Sequence, residues 1–166
     1  TKAEPVFDWA QWDEAMTRAF EIYHFNSFVI GVDGLGGGTF QDRYEPVFLG
    51  YTEKAPEYDI LFGKYLKGIE AHLREKGWLD KAYVYWFDEP DPKDYPFVMN
   101  GFAKLKKHAP DLRRMLTEQV EKELVGGPNL WVPLTPSLNV PGVEERRAAG
   151  DQFWWYVCCG PQAPYA

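Results

Sequence analysis

Apolar side chains recur with two different periods along this chain, and the alternation between them predicts the elements. After Asp8 and Gln11, the residues Trp9, Trp12, Met16, Phe20 and Tyr23 fall on one helical face, which predicts an amphipathic helix to about Tyr23. Phe25 to Val32 is a short apolar run that ends in glycines and reads as a strand. Pro56 to Lys76 is the clearest helix, with Tyr58, Phe62, Tyr65, Ile69 and Leu73 on its apolar face and Gly77 placed to terminate it. Ala82 to Phe87 reads as a strand, Pro96 to His108 as a helix closed by Pro110, and Leu112 to Thr117 as a strand. A short helix is expected over Gln119 to Leu124, a strand over Asn129 to Thr135, a short helix over Val143 to Ala149, and a last strand over Phe153 to Cys158. The remaining stretch, Asp33 to Lys54, reads as a loop that is long for a compact domain unless it has a function.

Strands that alternate with helices argue for a parallel sheet with helical crossovers. About five strands are visible, whereas a closed eight-stranded barrel usually needs about 250 residues. The expected fold class is therefore α/β, a partial (β/α)8 TIM-type barrel occupying residues 1–166 as a single domain. An open doubly wound sheet is the alternative. A partial barrel leaves strand edges unpaired. The polypeptide is accordingly expected either to self-associate through those edges or to derive from a longer parent.

Composition narrows the partners. The formal net charge of -7 over 166 residues argues against nucleic acid or an anionic membrane surface. No apolar run approaches the roughly 20 residues needed to insert across a bilayer. Seven tryptophans supply core volume, and some of these flat rings suit the C–H face of a sugar. Cys158 and Cys159 are neighbours that point to opposite faces of a strand, so they are poorly placed to bridge each other and read as buried thiols. His24, His72 and His108 lack metal-ligand spacing, so no metal is expected, and no motif calls for a cofactor. The glycines from Gly31 to Gly38 follow a strand but match neither a dinucleotide nor a phosphate loop, and read as a mobile loop at a site or a structural turn.

The chemistry concentrates at Tyr83-Val84-Tyr85-Trp86-Phe87-Asp88-Glu89-Pro90, where an aromatic strand ends in adjacent carboxylates. The C-terminal end of a barrel strand is where such folds carry their reactive groups. Pro90 disfavours helical angles at Glu89 and predicts an extended residue there. The aromatic wall of Tyr85, Trp86 and Phe87, together with the adjoining acids, predicts a coupled pair with one member protonated near neutrality. A solvated turn whose acids cap the next helix is the competing reading. Glu118 and Gln119 end the following strand, where they can bond sugar hydroxyls, or where Glu118 simply faces a helix N-terminus. Trp155 and Tyr156 are expected near a pocket rim.

The Tyr83–Pro90 segment, the Leu112-to-Gln119 region and the run Phe153-Trp154-Trp155-Tyr156-Val157-Cys158-Cys159-Gly160-Pro161 together resemble the catalytic domain of glycoside hydrolase family 123. The resemblance implies a (β/α)8 barrel, a glycan substrate and retaining cleavage of β-linked N-acetylgalactosamine. It also implies a substrate-assisted mechanism, in which the 2-acetamido carbonyl attacks the anomeric carbon and forms an oxazolinium ion. Asp88 would then orient the acetamido group, and Glu89 would act as general acid and then base. Glu118, Trp155 and Tyr156 would contact substrate. A secreted or periplasmic bacterial setting is implied by the resemblance alone. Two other functions remain open at this point: an ordinary two-carboxylate retaining glycosidase with Glu118 as nucleophile, and a non-catalytic carbohydrate-binding remnant of a barrel.

Overall fold

The computed structural model describes residues 1–37 and 43–158. Five strands form one parallel sheet: β1 (Phe28–Val29), β4 (Ala82–Val84), β5 (Arg113–Leu116), β6 (Leu130–Trp131) and β7 (Gln152–Phe153). Their spatial order, β1-β4-β5-β6-β7, is their order in the chain. A doubly wound sheet would reverse direction at a switch point, so this consecutive order agrees with an arc of barrel wall. The register runs Val29 beside Tyr83, Tyr83 beside Arg113, Met115 beside Leu130, and Trp131 beside Phe153. A further parallel bridge links Leu134 to Tyr156.

Among the described residues four α-helices accompany the sheet: α1 (Ala10–Glu21), α2 (Pro56–Glu75), α3 (Tyr95–His108) and α4 (Val140–Ala148). The period of two along each strand sorts the side chains. Ala82, Val84, Leu116 and Trp131 face the helices and join the main core with Phe62, Leu66, Leu73, Phe102 and Leu105. On the other face Met115, Leu130 and Val132 gather Tyr83, Tyr85, Trp154 and Tyr156 around them. The sheet thus has a helix-covered outer side and an aromatic concave side. Asp151 secures the far end by accepting from Trp131 Nε1 at 2.8 Å and from Arg146 Nε at 2.8 Å, which ties α4 to the sheet.

Three expectations change. The Asp33–Lys54 stretch holds a hairpin, β2 (Val47–Phe48) paired antiparallel with β3 (Tyr51–Thr52). Its Phe48 is buried against Phe62, and two-residue strands are too short to carry a legible alternation. Of the glycines before it, Gly34 and Gly36 adopt φ of +97° and +88°, and the Gly34 carbonyl accepts from the Tyr58 hydroxyl at 2.7 Å. This part of the run is built into the core boundary, while Gly38 lies outside the described residues. Cys158 is exposed rather than buried, because the chain leaves the sheet after the Tyr156 bridge. Cys159 lies outside the described residues.

Candidate active site

The acids sit where β4 gives out. After Val84 the strand hydrogen bonding stops, Tyr85 still points to the concave side, and Trp86 and Phe87 turn outward. Trp86 packs on Phe97 and Phe102 of α3, and Phe87 on Phe97. The expected wall of three aromatic rings around the carboxylates therefore reduces to Tyr85. Alternation takes Trp86 to the helix side, and the end of the strand releases Phe87 to follow it.

Asp88 is partly buried and Glu89 is exposed. The Tyr85 hydroxyl donates to Asp88 Oδ1, and the Thr117 hydroxyl donates to the same oxygen at 2.8 Å. Both donors thus converge on one oxygen of the carboxylate and fix its orientation. Thr117 Oγ1 also accepts the backbone N–H of Glu89 at 2.9 Å. One hydroxyl at the end of β5 thus holds one acid by its side chain and the next by its main chain. Burial pushes the Tyr85 phenol up to about 12, and its bond to Asp88 adds to the shift, so it stays a proton donor.

Glu89 is not extended. Its φ is +42°, in the left-handed region that non-glycine residues avoid at a cost of roughly 1–3 kcal/mol. Pro90 excludes the right-handed helical angles, as expected. The bond from the Glu89 N–H to Thr117 then holds the turn, and the backbone settles on the third allowed region. The Tyr156 phenol donates to Glu89 Oε1. Burial chiefly, then this bond and the Glu89 and Asp88 charges, raise the Tyr156 phenol well above its ordinary value. Tyr156 follows β7, so β4, β5 and the end of β7 converge on the pair.

The other predicted residues spread around this centre. Glu118 is half-buried beside it, and its Oε1 accepts the Gln119 N–H at 2.9 Å. Burial pushes the Glu118 carboxyl up; the Gln119 bond opposes this, and Glu121 and Glu89 add to it. Trp155 is 68% exposed and shares a pocket on the α4 side with Val143 and Arg147. Thr117 was not singled out by the sequence. Its signal was the period of two through Arg113, Met115 and Thr117, which aims a hydroxyl inward at the end of the strand next to the acids. Among the described residues no cluster of His, Cys, Asp and Glu is arranged to hold a metal ion. No helix among them is long and apolar enough to cross a membrane.

A consecutive parallel sheet with acids at the C-terminal end of a strand agrees with the face on which barrel enzymes carry their reactive groups. The family description "Glycoside hydrolase 123, catalytic domain" matches residues 16–166, and the chain belongs to that family. Among curated proteins, none matches. Among solved structures, the chain is similar to a family 123 glycoside hydrolase from Clostridium perfringens, studied for glycolipid glycan hydrolysis. The two superpose with a TM-score of 0.60 at 12% identity, a likeness of fold. The match covers 98% of this chain and 31% of that one.

Proposed function

We propose that the protein cleaves β-linked N-acetylgalactosamine with retention, using the substrate's own acetamido group as nucleophile. The observation that carries this reading is the grip on Asp88: two hydroxyls converge on Oδ1 and fix the carboxylate, and the reading assigns its other oxygen to an acetamido N–H. A carboxylate fixed in this way is suited to orient the acetamide and to stabilise the positive charge that develops on its nitrogen. Glu89, one residue on and reached by the Tyr156 phenol, protonates the glycosidic oxygen as it departs. The acetamido oxygen bonds to the anomeric carbon and the aglycone leaves with the proton. Glu89 then takes a proton from water as that water opens the oxazolinium ring and restores the acetamide.

The two-carboxylate alternative asks Glu118 to be an ionised, unencumbered nucleophile. Burial works against its ionisation, and the Gln119 N–H occupies one of its oxygens. Both features favour the substrate-assisted route. The carbohydrate-binding alternative gives no reason for hydroxyls to converge on one oxygen of Asp88.

The test compares an aryl β-N-acetylgalactosaminide with the matching aryl β-galactoside. Hydrolysis of the first and not the second is expected, because only the first carries the internal nucleophile. Asp88→Asn and Glu89→Gln should each lower kcat/KM by about 10²–10⁴. Equal turnover of both substrates, or near-full activity in both variants, would overturn the assignment.

A further inference from the structure

Asp94 stands five residues beyond Glu89 and is a buried carboxylate, 3% exposed. It occupies the N-cap position of α3, yet its side chain accepts no N–H from that helix. Its charge is met instead by Arg43, whose Nη1 donates to Asp94 Oδ1. We propose that Arg43 is a positioning residue for Glu89: it anchors the far end of the acid-bearing turn and so fixes where the general acid stands. This assignment rests on the general-acid role given to Glu89 above, whereas the anchoring is independent of it.

The turn needs an anchor at each end. Glu89 is held at φ +42°, and such a backbone persists only where its surroundings over-determine it. On the upstream side the Glu89 N–H is tied to Thr117 Oγ1 at 2.9 Å. Downstream the chain reaches Asp94 through Pro90, Asp91, Pro92 and Lys93. The two prolines fix two of the intervening φ angles. The Asp94 N–H bonds back to the Asp91 carbonyl at 2.7 Å. A displacement of Asp94 is therefore passed back along a short, stiff segment to Glu89 instead of being absorbed within it.

Arg43 supports the same segment a second way. Its Cζ lies over the Phe97 ring, 5.4 Å from the centroid, within cation–π range. Phe97 packs in turn on Trp86 and Phe87, the two residues before Asp88. The acids thus lie between Phe87 on one side and Asp94 on the other, and Arg43 bears on both supports. Its own place is set by the base of its loop. The Gly37 N–H donates to the Tyr44 carbonyl at 2.8 Å, and a Cβ added at Gly36 would stand 2.9 Å from the Phe97 ring. Arginine suits this seat because one planar group can bond a carboxylate at its edge and lie on a ring with its face. Among the described residues no other cation pairs with Asp94. Without Arg43 the buried carboxylate must move toward water or take up a proton, and either way the anchor is lost.

The test uses the full chain with Arg43→Met, Arg43→Lys, Asp94→Asn and the double variant R43M/D94N. Amide hydrogen exchange is followed residue by residue by NMR. In R43M the Glu89 N–H is expected to exchange at least about tenfold faster. The Val132 N–H, bonded to the Leu116 carbonyl at 2.9 Å, should keep its parental rate. Arg43→Lys should restore most of the protection, and R43M should add less than about twofold in the D94N background. Two substrates then read the acid itself. On phenyl β-N-acetylgalactosaminide, whose leaving oxygen needs a proton, R43M should lose at least about tenfold in kcat/KM. On the dinitrophenyl analogue, which departs without one, the loss should stay below about threefold. Parental exchange at Glu89 in R43M, equal acceleration at Val132, or equal losses on the two substrates would each overturn the positioning role. A parent that hydrolyses neither substrate while its Glu89 amide still answers to Arg43 would overturn the catalytic reading and leave the anchor standing.

Discussion

Thr117 is the residue on which both acids depend. Its hydroxyl donates to Asp88 and accepts from the Glu89 main chain. Thr117→Val keeps the shape and deletes both bonds, leaving a partly buried carboxylate with one donor fewer. We expect a loss of about 1–2 kcal/mol in stability. Under the proposed function we also expect at least a tenfold fall in kcat, with Thr117→Ser restoring most of both; denaturation midpoints and turnover numbers check this. The left-handed backbone at Glu89 yields a second expectation. Glu89→Gly should raise the thermal midpoint, because glycine meets no Cβ penalty there and the relief is worth about 1 kcal/mol, and under the proposed function it should abolish hydrolysis. Asp88 and Glu89 were legible in the sequence because acids that end an aromatic strand break its pattern. Thr117 was not, since a threonine at the end of a β-branched or apolar run is ordinary until its neighbour across the ladder is known. The positive φ of Glu89 was hidden for a related reason: Pro90 excludes one region of backbone space but does not choose between the two that remain.

Elements carry their own tests. Helix α3 approaches β4 closely at Gly101, where an added Cβ would stand 2.3 Å from the Trp86 ring. Gly101→Ala should therefore destabilise by about 1–3 kcal/mol through overpacking, despite alanine's better helix propensity. The hairpin is fastened to α3 through Glu53, which accepts from Asn100 at 2.8 Å and pairs with Lys104. The Lys104 bond, against the opposing effect of burial, holds the Glu53 carboxyl below its ordinary 4.5. Protons then bind the unfolded chain more readily than the folded one, so the contribution is complete above about pH 4.5 and fades as acid is added. Glu53→Gln should lower the thermal midpoint at neutral pH and flatten its decline below pH 4.5. The sequence showed α2 and α3 to within a residue or so, since long apolar stripes and prolines mark them. It overextended the strands, because apolar residues beyond each ladder continue into packed loops, as Phe87 does, without further pairing.

Across the whole molecule, the order of the strands is more telling than their number. Among the described residues, consecutive parallel strands with helices on one side leave β1 and β7 as the edges of the sheet and a face rich in Tyr83, Tyr85, Trp154 and Tyr156. We expect residues 1–166, produced alone, to self-associate with rising concentration in sedimentation experiments; a monomer at every concentration would remove that expectation. The order was legible because the alternation of strands and helices is written in the chain, although the expected helix over Gln119 to Leu124 shrinks to a 3-10 turn at Lys122–Leu124, whereas the curvature that brings Tyr156 to Glu89 is a property of the assembled sheet and has no local signature. That curvature also has a bearing on descent. Among the described residues, the groups that hydrogen-bond to the acid pair are encoded between Tyr85 and Tyr156, in one uninterrupted stretch. A recombination event that copied this stretch into another gene would carry the acid pair and its hydrogen-bond partners together, and the recipient scaffold would be left to decide which molecules reach them.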